Sequence, residues 1–289
     1  MSHKLCWVTD IHLDHLTEFL PLKVGQPNVS RQRTLSKSQV EAFCTKIRTH
    51  NPDSVVITGD ISTAEHIEQH LGHLGQCLSG ISVRFVLGNH DYYNGSIAEV
   101  RQRIWKGFQS TQGVGWLNAL GVVELTPDTA LVGHDGWYDG VYSSWFKSKL
   151  MMNEYFLTTE FRFQPPTLLH AKLRELANEC AIHIRKHVRE AAKRYKTVIF
   201  ATHVPPFREN SRAPNFALSD EDWLPNMSSG LAGEALLEVA EEFPEVEFLC
   251  LSGHTHTPWK QKYLPNLDCW TGKSDYGKPE CSIEVIDVE

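Results

Sequence analysis

Five short clusters carry the side chains best suited to chemistry: Asp10-Ile11-His12, Gly59-Asp60, Gly88-Asn89-His90-Asp91, His203 and Gly253-His254-Thr255-His256. Carboxylates, imidazoles and an amide oxygen are ligands for divalent transition ions, and no thiolate is among them. In extended chain, residues two apart point to the same side, so Asp10 with His12 and His254 with His256 are expected to aim at common points. Singly these signals are weak. Asp-x-His arises by chance, an Asp after a strand commonly caps a helix, and a lone buried His is commonly a hydrogen-bonded core residue. Together, Asp10, His12, Asp60, Asn89, His203, His254 and His256 are seven oxygen or nitrogen donors. That is too many for one tetrahedral ion. It suits two ions about 3.5–4 Å apart with one carboxylate between them. Such ions would outweigh the two carboxylates and leave a positive pocket in a chain of formal charge −7, a place that attracts phosphate. Water held by such ions ionises near pH 7, which supplies a nucleophile without Ser or Cys.

The elements that must position these donors can be read next. Each cluster ends a short apolar run: 4–9, 54–58, 82–87, 196–202 and 246–252. Continuous apolar runs of this length suggest strands covered on both faces. Helices are expected between them. Residues 36–50 carry Val40, Phe43, Cys44 and Ile47 at helical spacing, with Ser36 as N-cap. Residues 66–78, 96–109 and 231–242 are further helices, and 168–195 shows a stripe of Leu173, Leu176, Cys180, Ile184 and Val188. Residues 121–125, 129–133, 259–263, 267–271 and 281–287 read as shorter strands, partly antiparallel. Alternating strands and helices predict an α/β fold, with a mixed sheet or two packed sheets flanked by helices. Its functional crevice would lie outside the carboxyl ends of the strands. One unit over 1–289 is expected, with irregular, substrate-side insertions near 137–167 and 205–230.

Composition excludes several classes. Of 289 residues, 41 % are hydrophobic and 22 % charged, the profile of a globular protein rather than a disordered one. No apolar run reaches membrane-spanning length, and the first ten residues lack a secretory apolar core. A mildly acidic chain does not favour wrapping of nucleic acid by charge. Seven scattered cysteines without a CxxC pair suit reduced thiols and a cytoplasmic setting.

The ordered motifs D-x-H, G-D, G-N-H-D, H and G-H-x-H, spread over residues 10 to 256, resemble the calcineurin-like metallophosphoesterase family. The resemblance implies a four-layer sandwich of two mixed β-sheets flanked by helices. It implies a first ion on Asp10, His12 and His256, a second on Asn89, His203 and His254, and Asp60 as the bridge. It also implies that His90 stabilises or protonates the departing oxygen and that Asp91 orients His90. The expected activity is hydrolysis of a phosphomonoester or phosphodiester by a metal-bridging hydroxide, with a diester or nucleotide-type small molecule favoured. The ions, divalent or mixed-valence, would be Mn, Fe, Zn, Ni or Co. Asp60 is followed by Ile-Ser-Thr-Ala-Glu and the third motif ends in Asp91, unlike the Ser/Thr protein phosphatases of this family. Thr63 stands where purple acid phosphatases have a Tyr. The alternative from another class is a scaffold or regulatory module on this fold with little catalysis.

Other features stay open at this level. His183 and His187 sit four apart on a helix, as core-flanking residues or a metal pair. Residues 133–137 (GHDGW) form a structural turn or a pocket edge. Tyr142, Trp145, Phe146, Tyr155, Phe156, Phe161 and Phe163 would stack on a base, fill a small cap or meet a second copy. Arg208 and Arg212 would pair with phosphate or face solvent.

Overall fold

The structure is a computed structural model that describes residues 3–19, 33–110 and 112–289. Its strands are β1 His3–Val8, β2 Thr17–Phe19, β3 Arg33–Leu35, β4 Ser54–Thr58, β5 Ser82–Val86, β6 Val114–Trp116, β7 Val123–Glu124, β8 Thr129–His134, β9 Thr197–Thr202, β10 Glu247–Ser252, β11 Trp259–Leu264, β12 Leu267–Thr271 and β13 Glu284–Val288. They form a five-stranded sheet, β13-β1-β4-β5-β6, and a six-stranded sheet, β11-β12-β10-β9-β8-β7, with β2 and β3 as a separate ribbon. Both sheets are mixed. In the first, β1, β4, β5 and β6 are parallel and β13 is antiparallel. In the second, β12, β10, β9 and β8 are parallel, and the edge strands β11 and β7 run the other way.

The alternation of side chains along the strands explains the layers. Leu5 and Trp7 point inward to a core between the sheets, with Val56, Ile199, Ala201 and Leu251. Their neighbours Cys6 and Val8 face the opposite way, into a core shared with the helices Lys37–Thr49, Ile67–Cys77 and Ile97–Phe108. Val198, Phe200 and Cys250 of the second sheet face a third core, against the helices Pro166–His183 and Gly230–Glu242. The result is helix, sheet, sheet, helix, as expected. Ser36 caps the first helix by accepting from the Gln39 N–H, also as expected. The stripe from Leu173 to Val188 is buried throughout, but the helix beneath it is not uniform. Ile184–Val188 is a turn of π-helix, followed by one more α-turn at Arg189–Ala192.

Some boundaries differ from the sequence reading. The strand expected over 121–125 contracts to Val123–Glu124, because Gly121 takes φ 66° behind a helical turn at Leu117–Leu120. The strand expected over 281–287 starts at Glu284, since Pro279–Ser282 is a turn of 3-10 helix closed by the Ser282 hydroxyl on the Pro279 carbonyl. Strand β6, which contains Gly115, had no apolar pattern to announce it. Among the described residues, no helix is long and apolar enough to cross a membrane. The cysteines are free, and Cys6, Cys44, Cys180, Cys250 and Cys269 are buried.

Candidate dinuclear metal centre

The donors gather where the central parallel strands of both sheets end. Asp10 and His12 follow β1, Asp60 follows β4, Asn89 and His90 follow β5, His203 follows β9, and His254 and His256 follow β10. The reason they converge differs from the expectation of an extended chain. Asp10, His12, Asp60, His254 and His256 all have positive φ, between 39° and 70°. Such conformations are costly for residues with a Cβ, and they cluster where a site over-determines them. Glycines make room around them. A Cβ on Gly253 would lie 2.1 Å from Asp10 Oδ2, and one on Gly88 would lie 2.2 Å from Asp60 Oδ1.

Two adjoining groups of acceptors result. Asp10, His12, Asp60 and His256 each offer a ligand atom within 4.8 Å of the others. His12 Nε2 lies 3.2 Å from His256 Nε2, and His256 Nε2 lies 3.3 Å from Asp10 Oδ1. On the other side, Asn89 Oδ1 lies 2.9 Å from His203 Nε2 and 3.0 Å from His254 Nδ1. Asp60 stands between the groups. Its Oδ1 is 3.3 Å from His203 Nε2, and its Oδ2 is 3.8 Å from His12 Nε2.

The second group tests whether a cation fits. His203 Nδ1 lies 2.9 Å from the Thr58 carbonyl, and His254 Nε2 lies 2.9 Å from the Asn226 carbonyl. A carbonyl only accepts, so each ring carries its hydrogen on that nitrogen. Asn89 spends its amide on the Tyr93 hydroxyl at 3.1 Å. Two ring lone pairs, the Asn89 oxygen and an Asp60 oxygen therefore face one another with no proton assigned among them. Mutual repulsion of this kind is relieved by a positive ion, and carbonyl-anchored imidazoles are a common support for metal ligands.

Electrostatics agree. Burial, then the charge of Asp10, pushes the Asp60 carboxyl well above its ordinary pKa. Burial lowers His12 to about 3 and His254 to about 4, so both rings stay neutral. Burial also opposes charge on His256, but the neighbouring Asp10 carboxylate outweighs it and raises that ring. Two carboxyl groups packed this closely among mostly neutral rings cannot both hold charge cheaply, a cost that a cation on this donor set would relieve.

His90 borders the cluster. Its Nε2 faces Asp60 Oδ2 at 3.8 Å, its backbone N–H donates to Asp60 Oδ1, and its ring stacks on Tyr93 with centroids 4.2 Å apart. The expectation that Asp91 orients His90 is corrected. Asp91 Oδ1 accepts the N–H groups of Ile61 and Ser62, and Oδ2 accepts that of Gly88. The turn geometry sends the carboxylate back under the loops, so it clamps the segments bearing Asp60 and Asn89. No hydrogen bond joins it to the His90 ring among the described residues.

A cavity of about 850 Å³ opens from Asp60, Asn89, His90, His254 and His256. Both irregular segments contribute walls, through residues 150–154 and 212–220, with Trp223 and Met227. Sequence reasoning missed Tyr93, Glu154 and Tyr276. Tyr276 is 46 % exposed and lies 4.4 Å from His12 and 5.1 Å from His256 between ring centroids. No spacing pattern could have found it.

The open features also resolve. None of the seven aromatics between Tyr142 and Phe163 lines the cavity. Tyr155 and Phe161 fill a core with Trp137 and Tyr138, and Phe146, Phe156 and Phe163 face outward. The 133–137 turn is structural: Asp135 accepts from Leu87 N–H, Trp116 Nε1 and the Tyr92 hydroxyl, and Trp137 is buried. The His183 ring contacts those of His187 and His134, away from the donor cluster. Arg212 lines the cavity and Arg208 does not.

Comparisons with known proteins follow the same line. A family model described as calcineurin-like phosphoesterase matches residues 3–258. An uncharacterised metallophosphoesterase of Campylobacter jejuni is 26 % identical over 148 residues, 46 % of this chain and 34 % of that protein. A transmembrane protein with metallophosphoesterase domain from Bos taurus is 33 % identical over 67 residues, 22 % of this chain and 15 % of that protein. The aligned stretches thus cover about a third or less of these curated relatives. A dimetal phosphatase from Danio rerio has a similar fold, with a TM-score of 0.53 at 14 % identity, covering 98 % of this chain and 91 % of that one.

Proposed function

The chain belongs to the calcineurin-like phosphoesterase family, and from that premise we propose that it is a two-ion phosphoesterase acting on a small organic phosphate, with a diester or nucleotide-type substrate favoured. Asp10, His12 and His256 would hold one ion and Asn89, His203 and His254 the other, with Asp60 shared. The observation that carries this reading is the placement of Asp60, whose two oxygens face the two donor groups separately. Nitrogen and oxygen donors without thiolate suit Mn, Fe, Zn, Ni or Co. When bound, such ions polarise the phosphoryl oxygens and lower the pKa of water enough to supply a nucleophile at neutral pH.

The chain's own groups do the rest. Thr58 and Asn226 fix the rings of His203 and His254 through their carbonyls. Asp91 holds the two loops that present Asp60 and Asn89. His90, neutral because burial drives its pKa well below the ordinary value, presents an N–H toward the departing oxygen from the cavity side of the cluster. The cavity supports a substrate larger than phosphate. Its about 850 Å³ is the size of pockets that enclose drug-sized molecules. Leu150, Met151, Met152, Leu218, Trp223 and Met227 give it apolar walls for an organic portion. The free thiols suit a reducing, cytoplasmic setting.

The test is turnover of a chromogenic phosphodiester and the matching monoester with Mn²⁺ present. Hydrolysis by the wild type, lost in Asp60→Asn, is expected. Equal rates in the two proteins would overturn the proposal, and the faster ester sets the substrate type.

A further inference from the structure

The cavity holds one cation that the hydrolytic site does not use. Among the described residues lining it, Arg212 is the lone Arg or Lys. Three acidic side chains line the same space, Asp60, Glu154 and Asp220, and none forms an ion pair with Arg212 among the described residues. Asp60 belongs to the donor cluster. Glu154 is fully buried and accepts the hydroxyls of Tyr93 and Tyr138 at 3.0 and 2.7 Å. Asp220 Oδ1 accepts the N–H groups of Asp222 and Trp223, both at 3.0 Å. No ion pair joins Arg212 to a carboxylate among the described residues.

The guanidinium is nonetheless held in place. It lies 3.9 Å from the centroid of the Trp259 ring, and its Nε donates to the Glu209 carbonyl at 2.7 Å. A backbone bridge between Arg212 and Leu218 ties the base of its loop. Stacking and the Nε bond fix the plane of the fork and strip part of its water. Its two terminal nitrogens carry no hydrogen bond among the described residues. An arginine at the cavity wall of an acidic protein, held in place and without an ion-pair partner among the described residues, is suited to receive an anion.

We propose that Arg212 binds a second anionic group, phosphate or carboxylate, carried by the organic portion of the phosphoester. This rests on the phosphoesterase reading above and deepens it: the substrate would be a phosphoester with two separated anions.

The test is calorimetric binding of non-hydrolysable phosphonates to the Mn²⁺-loaded protein. Alkylphosphonates of graded length are compared with the α,ω-bisphosphonates and ω-carboxyalkylphosphonates of the same length. At the matching length the second anion should tighten binding by about tenfold, the scale of one charge-assisted pair. Arg212→Gln should erase that gain, and Arg212→Lys, which keeps charge without the fork, should retain only part. Trp259→Leu should reduce it by releasing the guanidinium from its platform. The larger of the two gains names phosphate or carboxylate as the group recognised. A gain of equal size in wild type and Arg212→Gln, or no gain at any length, overturns the proposal. Turnover of phosphate esters is measured on the same samples. Arg212-dependent binding without any turnover would uphold the anion site and overturn the phosphoesterase reading.

Discussion

Two groups of buried or half-buried imidazoles share this fold and have opposite characters. In the first, His12, His203, His254 and His256 surround Asp10, Asp60 and Asn89 at the strand ends. In the second, the His183 ring lies tilted against those of His134 and His187, with centroids 5.1 and 4.5 Å away, beside the π-turn Ile184–Val188. Burial is common to both. Carboxylates are not: among the described residues the second group has only Glu190, half exposed and 3.6 Å from His187 Nδ1. The Arg101 and Lys186 cations lie nearby and oppose a further positive charge. His183 Nε2 is buried without a hydrogen-bond partner, as is His12 Nδ1 of the first group, but in the first group His203 and His254 are also anchored to carbonyls and turned toward a common point. The backbone differs as well. Five of the first group's residues have positive φ and none of the second's does. Burial of histidine therefore does not by itself make a metal site. Convergent lone pairs, fixed tautomers and buried negative charge do.

The contrast can be broken by mutation. The largest expected effect is at Asp60, which serves both donor groups. Asp60→Asn should lower kcat/KM by at least about a thousandfold, the scale of losing a principal electrostatic element. His183→Gln should leave turnover within about twofold, since surface and core changes distant from a site act independently of it. Steady-state kinetics on both variants decides, and a large kinetic loss in His183→Gln would dissolve the distinction between the groups. A smaller effect is expected from His90→Gln, about a hundredfold in kcat with the ion content retained. Loss of the ions in that variant would move His90 from the leaving-group side into the ligand set.

The second group should announce itself in stability instead. Burial holds His134 well below its ordinary pKa and lowers His183 to about 3, with the charges of His187 and Lys186 acting in the same direction. In the unfolded chain these rings take up a proton below about pH 6.5 and in the folded protein they do not. Stability is thus full above that pH and falls as the pH drops through the acid range. Urea unfolding across that range should show a slope smaller by about 1.4 kcal/mol per pH unit in His183→Gln. An unchanged slope would mean that the ring is protonated in the folded state.

The smallest effect concerns neither group. Glu160 accepts the N–H groups of Ile97 and Ala98 and the Ser96 hydroxyl at the start of the helix Ile97–Phe108. Burial opposes its charge, yet these bonds lower its pKa below the usual 4.5. Glu160→Gln should cost about 1 kcal/mol above that pH, and the difference should vanish as the pH falls through the folded value. Thermal unfolding at neutral and acid pH reads it, and a difference that persists in acid would assign the loss to shape rather than charge.

Much of the first group was legible because each donor follows its own strand within a few residues. Short apolar runs ending in Asp-x-His, Gly-Asp or Gly-His-x-His state both the support and the ligand locally. The geometry was not legible. Asp10 and His12 meet through left-handed turns, and Asp91 looked like a partner of His90 but binds backbone beneath the loops. The cavity walls were less legible still. Residues 150–154, Arg212 and Trp223 lie in the irregular segments expected on the substrate side, but which of their side chains face the cavity, and that Tyr276 joins them, only the folded chain shows. Of the sheet edges, β7, β11 and β13 were expected with shifted bounds, whereas β6 is too short for a periodic signal and depends on its pairing with β5.

All the proposed chemistry turns on two ions sharing the Asp60 carboxylate. Its most direct test is equilibrium Mn²⁺ titration of the folded protein, with bound metal counted per chain. Two ions are expected for the wild type and at most one for Asp60→Asn. A folded wild type that binds no ion, or only one, would contradict it.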